Sequence, residues 1–551
     1  MTAHDTGTTH YRSGAIFTSD TRPWAQSLIV EDGRILFAGD TAAADAFAAD
    51  TVVELDGALV IPGIVDAHTH LVGLGESLEQ VDLHDASDLA EIQARIAAAA
   101  AADPGAPRIQ GRSWLFSSLG GKAPHREMID AAVADRPVYL HANDNHSAWV
   151  NSAALAELGI DDETPDPLGG TIQRDAAGHA TGMLLENAVF AFLREKLDAL
   201  TSDADREAQF EAAMCTYLDA GVTAAVDMAL SEPDLRAMLA VQERHGGTLP
   251  MHVAAHWAVY RTGTPEGDAA AVDRAITLHR AHTGPSLRIA GIKLFVDGVI
   301  DSCTAAMRAP FADGSQPEAL WDLPSLTAVV TRADAAGLQI AMHAIGDAAS
   351  ALALDALEAA VAANGPRAER RHRIEHLETV DHATPLRLAR LGVIASLQPV
   401  HCDPAIQDNW RAMLGDDRVD RAYPWGEFAE AGATLALGTD APTAPFDPLP
   451  NLFIATTRRS AFDPGLEANI PGNAMAVADA VRRATRDAAY ACGWEGELGV
   501  LRAGAAADFV ILDGDPFRDG PETFLTTRVR TTVVAGLDRA AVAAAAPDHR
   551  S

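Results

Sequence analysis

The sequence predicts an α/β protein: a (β/α)8 TIM-type barrel with a small flanking β-sandwich domain made from both chain ends. Through the middle of the chain, apolar runs such as GVTAAVDMA, LRIAGIKLFVDG and LQIAMHAIGD alternate with Ala-rich helical runs such as LAEIQARIAAAAAA. Strands that alternate with helices form parallel sheets, and this length favours an eight-stranded barrel. A doubly wound open sheet is the alternative. It usually carries a GxGxxG turn after an early strand, and none stands there.

The two ends of the chain are rich in short strand-like runs. GAIFT, SLIVEDGRILFAG and TVVELDGALVIPG open the chain, the last two broken by Asp-Gly, and ADFVILDGDP and RVRTTVVAG close it. Because termini are often close in space, residues 1–58 and 491–551 are predicted to form the β-sandwich, with the barrel in 59–490. The section around 111–205 is rich in Gly, Pro and aromatic residues and breaks the alternation. We interpret it as an insertion over the barrel mouth.

The composition excludes several classes of function. The chain has 551 residues, 48% hydrophobic and 22% charged, with a formal net charge of −35. Nucleic-acid and anionic-membrane binding both need clustered Lys and Arg, so neither partner is expected. A well-solvated acidic surface explains the charge better than attraction of a cationic ligand does. The expected partner is a small-molecule substrate.

The cysteines and the N-terminal segment indicate a cytoplasmic protein. Cys215, Cys303, Cys402 and Cys492 are far apart and form no CxxC pair, which argues against a disulfide framework and a thiolate zinc site. The segment MTAHDTGTTHYRSG lacks the basic start and apolar core of a signal peptide. No apolar run is long enough to span a bilayer.

The first motif with chemical meaning is VIPGIVDAHTHL, where an apolar strand ends in two histidines. Residues two apart in a strand point to the same side, so His68 and His70 can bind one ion. At the C-terminal end of a barrel strand, that side is the mouth, where active sites lie. A lone His-x-His can be coincidental, but its position after an apolar strand favours a metal site.

Lys293 lies in the apolar run RIAGIKLFVDG, in a chain whose only other lysines are Lys122 and Lys196. A buried ammonium is costly unless it is paired or loses its charge. Carbamylation by carbon dioxide would make it a carboxylate that can bridge two cations. The alternative is a salt bridge, for instance to Asp297.

Three later strands also end in side chains that can bind metal. LQIAMHAIGD carries His343, RHRIEHLE carries His376 and LALGTDAP carries Asp440. A carboxylate beside a metal-activated water can accept its proton and return it to the leaving group. Alone, each histidine would be interpreted as a core residue and the aspartate as an Asx-turn or helix cap. Together with His-x-His they form an ordered set.

This set resembles that of the amidohydrolase superfamily, and the chain is most similar to the branch of YtcJ-like proteins and N-substituted formamide deformylase (amidohydrolase family 3). The resemblance covers nearly the whole chain. It includes PGIVDAHTHL, NHSAWVNSAAL, GGTIQRDAAGHATGMLLE, IKLFVDG, HAIGDAA, RIEHLE, GTDAP and GVLRAGAAADFVIL.

The resemblance implies a metal centre of six residues at the ends of barrel strands. They are His68 and His70 for one metal, His343 and His376 for the other, carbamylated Lys293 as the bridge, and Asp440 as ligand and acid–base catalyst. Zinc, one or two ions per chain, is the default for imidazole and carboxylate ligands, although manganese, iron or cobalt would also fit.

The resemblance also marks substrate-binding candidates in the insertion. These are His146, Trp149 and Glu186. Many relatives carry a DGH or DSH triplet where this chain has Asp144-Asn145-His146, which leaves the substrate contacts open.

The implied activity is hydrolysis of a non-peptide carbon–nitrogen bond in a small amide, N-substituted formamide, urea or cyclic amide. An esterase or lactonase and a deaminase are alternatives on the same scaffold. Deaminase sites often carry a Glu soon after the histidine of strand five, and His343 is followed by Ala-Ile-Gly-Asp. A catalytically inactive scaffold protein and a binding module for a cationic ligand are the non-enzymatic alternatives. A homodimer is compatible with such barrels, although no residue pattern marks an interface.

Overall fold

A computed structural model describes residues 7–142, 147–167, 170–186, 188–367 and 369–538. The chain divides into two compact units, one formed by Met1–Leu71 with Phe210–Ser551 and the other by Val72–Gln209. Within the described ranges, no helix is both long and apolar enough to cross a membrane.

The described residues form 22 β-strands and 19 α-helices. The strands are β1 Thr9–Phe17, β2 Trp24–Glu31, β3 Arg34–Gly39, β4 Thr51–Glu54, β5 Leu59–Pro62, β6 Ile64–Thr69, β7 Val81–Asp82, β8 Ile109–Trp114, β9 Val138–Ala142, β10 Ser147–Val150, β11 Gly170–Arg174, β12 Ala180–Glu186, β13 Val222–Leu230, β14 His252–Ala258, β15 Leu287–Phe295, β16 Gln339–Ala344, β17 Arg373–His376, β18 Ile394–Leu397, β19 Leu435–Leu437, β20 Phe509–Leu512, β21 Val529–Val534 and β22 Leu537–Asp538. The α-helices are α1 Thr41–Ala44, α2 Leu71–Glu79, α3 Leu89–Ala102, α4 Arg126–Asp130, α5 Ser152–Leu158, α6 Glu195–Leu200, α7 Asp203–Asp219, α8 Glu232–Arg244, α9 Pro265–Ala281, α10 Leu323–Ala335, α11 Asp347–Asn364, α12 Thr384–Leu391, α13 Gln407–Leu414, α14 Asp416–Val419, α15 Trp425–Glu430, α16 Pro448–Thr457, α17 Val477–Arg483, α18 Arg486–Ala491 and α19 Pro516–Asp519.

Eight parallel strands of the first unit form the predicted barrel, in the order β6, β13, β14, β15, β16, β17, β18, β19. The first and last strands meet at their C-terminal ends, where the Asp440 N–H donates to the His68 carbonyl (2.7 Å) and the His70 N–H donates to the Ala441 carbonyl (2.8 Å). Gly438 permits this approach, because a Cβ there would lie 2.5 Å from the His68 nitrogen. The barrel predicted from the alternating pattern is therefore confirmed.

Small apolar side chains fill much of the barrel interior. The buried cluster includes Val65, Ala67, Ala224, Val226, Ala254, Ala341, Ile394 and Ala436, and continues into α18 and Trp494. An eight-stranded barrel is only wide enough for its own side chains. Alanines in this layer leave room for larger polar side chains nearer the mouth.

The strand-rich ends of the chain form one mixed sheet beside the barrel. Its order is β22, β21, β20, β5, β1, β2, β3, with β4 also paired to β1. The joint is made by β5 and β20, which pair antiparallel with Val60 opposite Ile511. The predicted flanking β domain from both termini is thus confirmed, with its strands hydrogen-bonded as a single sheet.

The unit Val72–Gln209 has its own six-stranded sheet, in the order β11, β12, β10, β9, β8, β7. It contains the segment 111–205 that the sequence marks as an insertion. It also contains α3, whose sequence LAEIQARIAAAAAA resembles the helices of the barrel alternation. Ile92 and Ile96 of α3 are buried in the core of the Val72–Gln209 unit. This helix therefore belongs to that unit and is not one of the barrel helices.

Candidate metal centre

The two histidines of the His-x-His motif lie at the mouth end of β6 and point to the same side. The His68 and His70 ring centroids are 5.7 Å apart. The His68 side chain is 1% exposed and that of His70 is 29% exposed. The alternation predicted for a strand therefore places both imidazoles at one site, with His70 on its open side.

Asp440 is the common neighbour of these imidazoles. Its Oδ1 lies 3.2 Å from Nε2 of His68 and 3.2 Å from Nε2 of His70, and its Oδ2 lies 3.9 Å from Nδ1 of His376. Burial by itself raises the pKa of Asp440, but its interactions with His68 and His70 outweigh burial and hold that pKa well below its usual value. Asp440 is thus an ionised carboxylate surrounded by imidazole nitrogens.

His376 presents an unsatisfied ligand atom to the same place. Its Nδ1 is buried and has no hydrogen-bond partner among the described residues. Burial, together with the neighbouring His343, lowers the pKa of His376 well below its usual value, so the ring is neutral and keeps a free lone pair. A buried polar atom without a partner is costly and is expected where a ligand or ion binds.

Lys293 is 1% exposed and points at the same cluster. Its Nζ lies 3.4 Å from Nε2 of His68, and it makes no ion pair within the described part of the chain. The alternative partner Asp297 instead accepts the backbone N–H groups of Ala306, Ile345 and Gly346. Burial lowers the pKa of Lys293 to about 8.

His343 contacts the cluster through His376. The two ring centroids are 4.5 Å apart, and Nε2 of His343 lies 3.0 Å from the Gly298 carbonyl. Burial, with a smaller contribution from Lys293, lowers the pKa of His343 to about 3, so the ring is neutral. All six residues predicted as metal ligands therefore lie together at the mouth of the barrel.

Two residues near His68 were missed by sequence analysis. Glu375 accepts a hydrogen bond from Nδ1 of His68 at 2.7 Å, and Arg373 donates to both carboxylate oxygens of Glu375, at 2.5 and 3.1 Å. Both stand in RHRIEHLE, Glu375 one residue and Arg373 three residues before His376. Charged residues within a predicted barrel strand were the available signal.

A second missed pair is Glu378 and His401. Nδ1 of His401 lies 3.2 Å from Oε1 of Glu378, and Nε2 of His401 lies 3.6 Å from Oδ2 of Asp440. Among the described residues, His376, Glu378 and His401 form a second group able to hold a metal ion. Glu378 and His401 are also direct hydrogen-bond partners of each other. The signal for His401 was its position in QPVHC, just after β18.

The three substrate-binding candidates belong to the segment 111–205, which the Val72–Gln209 unit contains. Trp149 is fully buried in the core of the Val72–Gln209 unit, with its ring centroid 5.4 Å from that of Trp114. Glu186 is the last residue of β12. His146 lies outside the described residues. Their role in substrate binding stays a prediction.

The donor atoms present fit a divalent metal ion. His68, His376 and Asp440 each offer one ligand atom, and these atoms lie within 4.8 Å of one another at buried positions. Neutral imidazoles and an ionised carboxylate are the ligands that zinc takes in catalytic sites. Such sites keep a position open, and the partial exposure of His70 provides an open side.

Comparison with known proteins identifies the family of the chain. A family model described as "Amidohydrolase family" matches residues 51–537. The chain is 33% identical to the protein LONG AFTER FAR-RED 3 of Arabidopsis thaliana, covering 91% of this chain and 86% of the relative. It is 30% identical to the putative amidohydrolase YtcJ of Bacillus subtilis, over 88% and 89%. It is 27% identical to the N-substituted formamide deformylase of Arthrobacter pascens, over 94% and 95%.

Solved structures give the same result for the fold. The chain matches a metal-dependent hydrolase of Pyrococcus horikoshii OT3 with a TM-score of 0.76 and 28% identity, covering 94% of this chain and 99% of that one. The resemblance seen in the sequence motifs is therefore confirmed.

Asp66 supports the centre by linking β6 to the loop after β19. Oδ1 accepts the backbone N–H groups of His68 (3.1 Å) and Thr439 (3.0 Å), and Oδ2 accepts the hydroxyls of Thr439 (2.6 Å) and Tyr217 (2.9 Å).

We expect Asp66→Ala to lower the free energy of unfolding by about 2–4 kcal/mol, since buried donors lose their acceptor. Metal affinity should fall with it.

Denaturant unfolding and metal titration of Asp66→Ala measure both effects. Tyr217→Phe is the matched control, because it removes one donor and leaves the other contacts of Asp66 in place. It should cost about 1 kcal/mol and keep metal affinity. Wild-type stability and metal binding in Asp66→Ala would show that this link does not support the centre.

Proposed function

The chain belongs to the amidohydrolase family, and we propose that it uses a zinc centre to cleave a non-peptide carbon–nitrogen bond in a small molecule. As a member of that family it is a metal-dependent hydrolase. The bond class, the identity of the metal and the modification of Lys293 are the proposed parts.

The observation that carries the proposal is the position of Asp440 among the imidazoles. One carboxylate oxygen faces His68 and His70, at 3.2 Å each, and the other faces His376. A buried carboxylate and imidazole nitrogens gathered in this way offer lone pairs that a cation would satisfy.

A divalent metal held by His68, His70 and Asp440 would polarise the substrate carbonyl and lower the pKa of a coordinated water. Asp440 supplies the proton transfers. Its ionised carboxylate can accept a proton from the attacking water and then donate it to the departing nitrogen. Burial of His68, His376 and Asp440 shields these side chains from bulk water, which strengthens their interactions.

Two arguments favour carbon–nitrogen cleavage over ester cleavage. An amine is a poor leaving group until it is protonated, and a buried carboxylate at the reacting bond provides the required acid. In addition, a relative that aligns over 94% of this chain is named N-substituted formamide deformylase. We therefore propose small amides, and N-substituted formamides in particular, as substrates.

We propose that Lys293 is carbamylated and bridges two metal ions, with His343 and His376 on the second. Its burial and lowered pKa increase the fraction of neutral amine at neutral pH. The amine nitrogen would attack the carbon of CO₂, forming an N–C bond while one C=O electron pair moves to oxygen. The nitrogen then loses a proton to solvent. The product is a carbamate anion, whose negative charge would compensate the positive charge of the buried metal ions.

The first test combines metal analysis with a hydrolysis panel on purified protein. We expect about one to two equivalents of zinc per chain. We also expect turnover of N-substituted formamides or other amides that a chelator abolishes and zinc restores. Esters in the same panel test the esterase alternative. Ester turnover without amide turnover would overturn the carbon–nitrogen assignment. Metal without any turnover would favour a binding or scaffold role.

Asp440→Asn should reduce turnover about 100- to 10,000-fold, because an amide cannot accept and return the proton. The amide oxygen can still coordinate, so metal content should remain. Steady-state kinetics and metal analysis on the same sample measure both. Asp508→Asn is a matched buried control. Asp508 lies outside the metal centre, where its Oδ2 is 2.9 Å from Nε2 of His252, so this variant should keep full turnover. Normal rates in Asp440→Asn would remove it from the mechanism.

Lys293→Met should abolish turnover, because methionine fills the same space but cannot form a carbamate. Wild-type protein equilibrated with ¹³C-bicarbonate should give a carbamate carbon resonance that the variant lacks. Lys196→Met, at a lysine of α6, controls for nonspecific labelling and should leave the signal intact. Wild-type turnover in Lys293→Met, or no carbamate signal in the wild type, would contradict the bridging role.

A further inference from the structure

Arg373 and Glu375 form a fully buried ion pair inside the barrel. They are two apart on β17, so both side chains point to the interior, and both are 0% exposed. Removing two charges from water is costly, and well-packed apolar residues often stabilise a fold equally well. This pair is therefore expected to have a role beyond stability.

Arg373 holds Glu375 in one orientation. Its Nε donates to Oε1 of Glu375 at 2.5 Å and its Nη2 donates to Oε2 at 3.1 Å. Nη2 also donates to the Ala67 carbonyl (2.6 Å) and to the Ser396 hydroxyl (2.5 Å). The guanidinium is thus fixed to β6, β17 and β18 at once, and a bidentate contact with it leaves the carboxylate little freedom.

The carboxylate in turn fixes the protonation of His68. Oε2 of Glu375 lies 2.7 Å from Nδ1 of His68, and an ionised carboxylate can only accept, so Nδ1 must carry the proton. Nε2 of His68, the atom 3.2 Å from Oδ1 of Asp440, is then the ring nitrogen that faces the proposed metal ion.

A second side chain can also contact Nδ1 of His68, so the tautomer of His68 depends on Glu375. The amide nitrogen of Gln398 lies 3.4 Å from the same Nδ1 of His68. Without an ionised Glu375, this N–H would favour an unprotonated Nδ1, and the proton would move to Nε2. His68 would then present a proton to the metal instead of a lone pair. His343 differs from His68 in the nitrogen that contacts the protein, because its Nε2 lies against the Gly298 carbonyl.

We propose that Glu375, held by Arg373, is a positioning residue that keeps His68 in its Nδ1-protonated tautomer and so sets the affinity of the metal centre. This rests on the proposed function, which makes His68 a ligand. Carboxylates that accept from a metal-bound histidine commonly change metal affinity 10- to 100-fold when removed.

The test compares Glu375→Gln with a matched variant elsewhere in the chain. Asp334 forms the same kind of buried group: it accepts from Arg370 at 2.8 Å and lies 3.0 Å from Nε2 of His372. Asp334→Asn therefore controls for loss of a buried Arg–carboxylate–His contact away from the centre. Both variants should lower the melting temperature of the metal-free protein.

The readouts are zinc affinity by chelator competition and the visible spectrum of the Co²⁺-loaded protein. We expect Glu375→Gln to weaken zinc binding about 10- to 100-fold and to change the Co²⁺ spectrum, whereas Asp334→Asn keeps both. Glu375→Asp retains the charge but shortens the side chain, so it should restore part of the lost affinity.

A folded Glu375→Gln protein with wild-type zinc affinity and Co²⁺ spectrum would overturn the proposal. If Glu375→Gln does not fold, Glu375→Asp decides, and unchanged affinity there would overturn it equally. Failure of the proposed function gives a different result, since the wild-type protein itself would then bind no metal or turn over no substrate.

Discussion

The hydrogen bond from the Asp440 N–H to the His68 carbonyl joins the first and last strands of the barrel where both enter the metal centre. In an open sheet these strands would lie at opposite edges, and Asp440 could not face His68 and His70 together. Gly438 allows the backbones to approach, and Asp66 adds hydrogen bonds across the same junction. The geometry of the centre therefore depends on barrel closure more than on any single ligand.

Closure is accompanied by local strain and by buried charge. His376 and Asp440 have φ values of 76° and 62°, in the left-handed region that side chains rarely adopt. Such conformations cost about 1–3 kcal/mol each and persist when surrounding packing fixes them. Lys293, Arg373 and Glu375 add charges to the interior that small alanine layers accommodate. The stability of the barrel is thus partly used to hold a polar cluster in one arrangement.

Much of the fold could be predicted because it follows from local patterns. Alternating strands and helices indicated the barrel, and Asp-Gly turns with β-rich runs marked both ends of the flanking sheet. β14 was absent from the predicted strands, since two histidines and a tryptophan interrupt the apolar run HVAAHWA. α3 matched the barrel helices in composition but is buried in the Val72–Gln209 unit. Periodicity reports which face of an element is buried, but not against which neighbour.

The sequence by itself determined the fold class, the family and the residues at the strand ends that gather as candidate ligands. The period of two in a strand places His68 and His70 on one side, and the end of each apolar run marks the mouth. Only the tertiary structure decided that Glu375 meets Nδ1 of His68, and that His401 lies beside Asp440. These partners are distant along the chain and come from different strands. Their contact depends on strand stagger and closure, which no local pattern encodes.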